Sequence, residues 1–207
     1  MNLLSQILEN KIVAIIRGAK AADVLKIADA LQQGGVKVVE ITLNSPNALA
    51  VIKELADKLS DKILIGAGTV LNADTARTAI EAGAKFIISP NVNVETIQIT
   101  KQYKVISIPG AYTPTEIINA YTNGGDIIKI FPVPDANYIK ALRGPLSHIP
   151  MMPTGGINFE NISGFQKAGA LAFGIGNALV DTRQKITGEY LKQITGNARK
   201  FVQAVSQ

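Results

Sequence analysis

Lys129 stands inside an apolar run, "DIIKIF" from Asp126 to Phe131, where an ammonium group is costly to bury. Partial desolvation lowers a lysine's pKa and raises the share of free amine at neutral pH. A free amine beside a carbonyl compound forms a Schiff base, so this position suits covalent chemistry. The competing reading turns the side chain outward between helices and lets it snorkel to water.

Schiff base chemistry needs a proton shuttle. The single His148 precedes a strand and falls at the wrong end of it. Glu40, in "VVEIT", is the carboxylate set mid-to-late in a β-branched run, and burial would raise its pKa toward the range useful for acid–base work. A structural pairing of Glu40 with Arg17 or Lys129 is the alternative. Arg17 ends another run, "IIRG", and its forked guanidinium suits a carboxylate; a surface arginine is equally compatible with that position. Two glycine pairs, in "PTGGIN" (Pro153 to Asn158) and "GIGNAL" (Gly174 to Leu179), follow later strands. Such loops let backbone N–H groups approach a phosphate, and Asn177 is expected to cap a short helix there. Relief of crowding at tight turns would account for the same glycines.

These residues need elements to hold them. Eight short β-branched runs begin at Lys11, Val36, Lys62, Lys85, Lys104, Asp126, Ile149 and Leu171, with helical spacing between them. Near-continuous apolar strands alternating with amphipathic helices call for a parallel sheet covered by helices. Four joints, "QGGVKVV", "EAGAKFI", "NGGDIIK" and "KAGALAF", end a helix on glycine and enter a strand at once. Helix caps are expected at Ser45, Asn72, Thr113 and Asn158. The reading is one α/β domain over residues 1–207, a (β/α)8 TIM barrel, with an open doubly wound sheet as the second choice. In a barrel, functional residues occupy strand C-terminal ends. Lys129 does, whereas Lys11, Lys37, Lys62, Lys85 and Lys104 stand at strand beginnings and read as structural.

A chain of 207 residues, 47% hydrophobic and 18% charged, supplies one substantial core. The absence of cysteine excludes disulfides and thiol catalysis, and one histidine excludes a His-rich metal site. No signal-like start and no run of about 18 apolar residues is present, which fits a cytoplasmic protein and no membrane partner. The net charge of +5 comes from scattered lysines without interleaved aromatics, so no nucleic-acid partner is expected.

Taken in order, "GGVKVVEITLNSP", "IGAGTVLN", "AGAKFIISPN", "IPGAYTPTE", "KIFP", "MPTGGI" and "GIGNALV" resemble the 2-keto-3-deoxy-6-phosphogluconate (KDPG) and 4-hydroxy-2-oxoglutarate (KHG) aldolases nearly end to end. The resemblance implies a class I aldolase, a lyase needing no metal or cofactor, on a (β/α)8 barrel assembled as a homotrimer. It makes Lys129 the Schiff base nucleophile and Glu40 the acid–base residue. Arg17, Thr69, Pro90, Phe131 and Thr154 become substrate-binding residues. Gly155, Gly156, Gly176 and Asn177 become the phosphate site. The implied partners are a phosphorylated 2-keto-3-deoxy sugar acid and pyruvate.

Two positions depart from the family pattern. Asn44 stands where many members carry an arginine for the pyruvate carboxylate, which passes that role to Arg17, and Asn177 stands where serine is common. Thr154 favours the gluconate substrate, since galactonate-type members tend to carry valine there, although "EITLNSP" and "ISPN" also resemble the galactonate type. A non-covalent phosphate-binding barrel enzyme and a non-catalytic sugar-acid sensor remain as rival readings.

Overall fold

The computed structural model describes residues 2–206. Each of the eight expected runs contains a strand: β1 (Ile12–Ile16), β2 (Val38–Thr42), β3 (Leu64–Gly68), β4 (Phe86–Ile88), β5 (Ile106–Ile108), then, after the short β6 (Gly110–Ala111), β7 (Ile128–Ile130), β8 (Met151–Pro153) and β9 (Phe173–Ile175). Pro109 has no N–H to donate and separates β5 from β6. All pairings are parallel, in one sheet of order β5-β4-β3-β2-β1-β9 and another of order β6-β7-β8. A parallel bridge between Thr154 and Gly174 joins the second sheet to β9 of the first.

Helices intervene as the periodicity requires: α2 (Ala21–Gln33), α3 (Ala48–Leu59), α4 (Ala73–Glu81), α5 (Val94–Gln102), α6 (Pro114–Thr122), α7 (Ala136–Arg143), α8 (Ile162–Lys167) and α9 (Gly188–Val205). The four glycine joints are helix exits in the left-handed region, with φ of 91° at Gly35, 112° at Gly83, 106° at Gly124 and 99° at Gly169.

Alternation along the strands divides the apolar residues into two clusters. Val39, Ile41, Ile65, Ala67, Ile128 and Ile130 join the cluster that the helices cover. Val13, Val38, Leu64, Phe86, Ile106, Ile127, Met152 and Ala172 form a second cluster on the opposite strand faces. The first helix, α1 (Leu3–Asn10), adds the fully buried Ile7 to this second cluster, with Leu3, Leu4 and Leu8 packed against it. Burying one such isoleucine contributes roughly 1.5–3 kcal/mol. No helix was expected at this end of the chain; eight residues give a short periodic signal, and the Asn2 side chain caps it by accepting from the Ser5 N–H.

The expected caps divide evenly. Asn72 accepts from Thr75 N–H, and Thr113 forms a capping box with Glu116. Ser45 does not cap α3, which starts after Asn47; its hydroxyl lies 2.9 Å from the Thr42 hydroxyl and accepts from Gly18 N–H. Asn158 caps a turn instead of a helix, accepting from the Glu160 and Asn161 N–H groups, and α8 begins at Ile162.

Candidate active site

Two residues beyond Val13, Val38, Ile127 and Met152 along the chain come Ile15, Glu40, Lys129 and Thr154, in or directly beside β1, β2, β7 and β8, on the same faces one layer nearer the strand C-terminal ends. Strand alternation therefore points Lys129 inward, which rejects the snorkelling alternative. The residue is 5% exposed, and Gly110 and Met152 are its register partners on the adjacent strands. Its Nζ stands 4.8 Å from the centroid of the Phe131 ring.

Glu40 is 1% exposed, and its Oε2 has no hydrogen-bond partner among the described residues. Burial pushes its carboxyl pKa up, and the charges of Lys129 and Arg17 pull it partly back. Lys129 shifts the other way: burial lowers its pKa, the Glu40 charge opposes that, and Arg17 adds to the lowering. Both shifts favour the uncharged forms, a free amine and a protonated carboxyl, over a tight ion pair.

Above this layer lies a cavity of about 420 Å³. Arg17, Lys129, Phe131, Thr154, Gly155, Gly156, Gly176 and Asn177 all line it, together with Ile15, Ile157, Asn158, Gly174 and Ala178. The Arg17 backbone is pinned from two sides: Thr182 Oγ1 donates to its carbonyl at 2.6 Å, and the next N–H, of Gly18, donates to Ser45 Oγ at 2.8 Å. The loop after β8 turns through Gly155 and Gly156 at φ of 97° and 75°, and Asn161 Nδ2 donates to the Gly156 carbonyl at 2.8 Å.

Thr69 and Pro90 follow β3 and β4 and are not among the cavity-lining residues. Thr69 has a left-handed φ of 57°. Pro90 crowds Gly110, where an added Cβ would come within 2.5 Å of the Pro90 carbonyl. Asn44 sits in the turn after β2, also outside the lining. The helix expected to open at Asn177 is a single turn, in which the Leu179 and Val180 N–H groups both donate to the Gly176 carbonyl. The sequence reading placed Gly174 in a glycine pair for phosphate but did not foresee its role beside Thr154: its missing side chain leaves room for that residue, and an added Cβ would lie 2.3 Å from Thr154 Oγ1. Its sign was the residue pattern Gly-x-Gly at a strand end.

A second cavity of about 450 Å³ opens at the strand N-terminal ends, between α1 and the starts of β2, β3 and β4, with Lys37, Lys62 and Lys85 in its wall. Lys11, in the same ring, donates to the Val205 carbonyl at 2.6 Å. His148 lies exposed before β8, edge-on to Tyr121. Among the described residues, no group of three or more His, Cys, Asp or Glu converges, and no helix is long and apolar enough to cross a membrane.

Comparison with known proteins gives this geometry a family. The family model described as KDPG and KHG aldolase matches residues 3–196. The chain is 34% identical to the 2-dehydro-3-deoxy-6-phosphogalactonate aldolase of Escherichia coli (strain K12), over 93% of each chain. It is 34% identical to the 2-dehydro-3-deoxy-phosphogluconate aldolase of Pseudomonas aeruginosa, over 76% of this chain and 72% of that one. Among solved structures, the KDPG aldolase of Legionella pneumophila, with pyruvate captured at low pH as a covalent carbinolamine, superposes with a TM-score of 0.82 at 26% identity, covering 96% of this chain and 97% of that one. The chain belongs to the KDPG and KHG aldolase family, enzymes that are carbon–carbon lyases.

Proposed function

We propose that this chain is a class I aldolase that cleaves 2-keto-3-deoxy-6-phosphogluconate to pyruvate and glyceraldehyde 3-phosphate, and also accepts 4-hydroxy-2-oxoglutarate. The observation that carries this is the position of Lys129, buried in the inner layer yet lining the cavity, with Glu40 in the same layer. The Legionella relative's carbinolamine is the adduct this arrangement would form first.

The Lys129 amine adds to the C2 ketone, and loss of water, with Glu40 as proton donor, leaves a protonated imine. Glu40, now ionised, removes the C4 hydroxyl proton. The C3–C4 bonding electrons pass to the imine nitrogen and glyceraldehyde 3-phosphate departs. The enamine then takes a proton at C3, and water releases pyruvate and the free amine. A carboxyl whose pKa is raised by burial serves both as acid and as base in this cycle. Arg17 takes the substrate carboxylate. Gly155, Gly156, Gly176 and Asn177 take the phosphate, and a Cβ at Gly156 or Gly176 would meet no atom of the described residues within 4 Å, which leaves space for an anion to approach. Thr69, Pro90 and Phe131 border the pyruvyl moiety, and Thr154 contacts the substrate hydroxyls.

The scaffold in this reading is a single (β/α)8 barrel, supported by counting β5 and β6 as one strand position and by the Thr154–Gly174 bridge between the two sheets. The family resemblance adds a homotrimer acting in the cytoplasm. A second reading, cleavage of the galactonate epimer, is favoured by the Escherichia coli relative that aligns over 93% of the chain.

The experiment is reduction with borohydride in the presence of pyruvate, followed by peptide mapping. A reduced pyruvyl adduct on Lys129 is expected. A folded protein that gains no adduct would overturn the class I mechanism in favour of a non-covalent barrel enzyme or a sensor. Comparing kcat/KM for the two epimers decides between the substrates.

A further inference from the structure

The segment "IGAGT" contains two glycines, Gly66 and Gly68, both in β3 and two residues apart, so both face the inner layer. Neither has a left-handed φ, so backbone conformation is not the reason for glycine. What each lacks is room for a side chain. A Cβ on Gly66 would fall 2.3 Å from the Phe86 ring, a matter of apolar packing. A Cβ on Gly68 would fall 1.6 Å from Glu40 Oε1, 2.3 Å from its Cδ and 2.6 Å from its Cγ.

These distances follow from strand register. Glu40 pairs with Gly66, and Gly68 pairs with Thr42, so Gly68 is the diagonal neighbour toward the C-terminal end. A strand side chain leans along its strand, and that lean carries the Glu40 carboxyl across onto the bare Cα of Gly68. The collision is worst at Oε1 and extends back to Cγ, so a methyl there could not be cleared by turning the terminal oxygens alone. The whole side chain would have to leave its place in the buried layer.

The geometry points to Gly68 as a positioning residue for Glu40: its bare Cα is the seat on which the carboxyl rests within reach of the substrate carbons bound at Lys129. This rests on the acid–base role given to Glu40 above. Gly68 itself touches no reacting atom.

The test is a cycle of four proteins: wild type, Gly68→Ala, Glu40→Ala and the double variant. Each is read by the rate at which pyruvate methyl protons exchange with deuterated water, by adduct trapping on Lys129, and by thermal midpoint. Exchange reports proton transfer to and from the enamine, whereas trapping reports the imine. With Glu40 present, Gly68→Ala is expected to slow exchange by roughly 100-fold, the lower end of general acid–base contributions. With Glu40 already removed, the same substitution is expected to change exchange and thermal midpoint little, by about twofold or less in rate. Should Gly68→Ala fail to fold while the double variant folds like Glu40→Ala, the dependence on Glu40 stands, since the clash goes with the carboxylate. An equal cost of Gly68→Ala in both backgrounds, in rate or in folding, overturns the seat. Wild-type exchange in Gly68→Ala does so as well. If Glu40→Ala alone exchanges at the wild-type rate, the acid–base assignment of Glu40 falls, and the seat falls with it.

Discussion

Lys129 and Glu40 stand in one inner layer, on β7 and β2, and each pulls the other's proton equilibrium against the push of burial. Burial wins at both, so the Lys129 pKa lies below its ordinary value of 10.5 and the Glu40 pKa above 4.5. Removing one member of such a pair shifts the other further in the direction burial already drives it.

The first consequence concerns imine formation. Only the free amine attacks a ketone, so the rate of adduct trapping with pyruvate and cyanoborohydride should climb with pH and level off below 10.5. In Glu40→Gln the carboxylate that holds the proton on Lys129 is gone, and the plateau should be reached at lower pH than in the wild type. A limb at the ordinary lysine position in both proteins would contradict the buried environment of Lys129.

The Glu40 shift also makes stability depend on pH, and the sign is set by which state holds more protons. Above 4.5 the unfolded chain loses the Glu40 proton while the folded chain keeps it. The folded state then binds more protons, and its stability falls as pH rises through the folded-state pKa. Below 4.5 the full stability is present. Urea unfolding measured in steps above pH 4.5 should show this decline in the wild type and a flatter profile in Glu40→Gln. Parallel profiles would mean that Glu40 titrates normally.

Arg17 offers the forked donor for a carboxylate, and its loop is held by Thr182 and Ser45. Arg17→Lys keeps the charge and loses the fork, so KM for substrate should rise roughly 10- to 100-fold, the equivalent of one hydrogen bond to a charged group. The trapped adduct should still form at saturating pyruvate. An unchanged KM would remove Arg17 from carboxylate binding.

What the sequence disclosed and what it hid divide along the range of the interactions. Lys129 was legible because a charge inside an apolar strand is a local anomaly, and the Gly35, Gly83, Gly124 and Gly169 turns because a helix exit needs left-handed backbone at that very residue. Thr113 was legible as a cap because Glu116 answers it three residues on. Ser45 misled because its hydroxyl found partners in Thr42 and Gly18. Gly68 hid because the reason for it is a side chain on the neighbouring strand, and the Arg17 clamp because Thr182 lies 165 residues away. Asn177 looked like a helix start, but the chain makes one turn there before α9 begins at Gly188.

Thr154 gives the sharpest test of substrate choice. It is 4% exposed, lines the cavity, and among the described residues its hydroxyl makes a long 3.4 Å bond to the Met152 carbonyl, which leaves it able to bond a substrate hydroxyl. The gluconate and galactonate substrates are epimers at C4, so in the proposed pose a hydroxyl from Thr154 can tell them apart. Thr154→Val keeps the shape and exchanges the hydroxyl for a methyl. It should lower kcat/KM for the gluconate epimer by about tenfold, the worth of one hydrogen bond, and leave the galactonate epimer nearly unaffected, so that the ratio of the two moves toward galactonate. Equal losses on both would show that Thr154 binds the substrate without reading C4, and would shift the discrimination to the loops after β1 and β2.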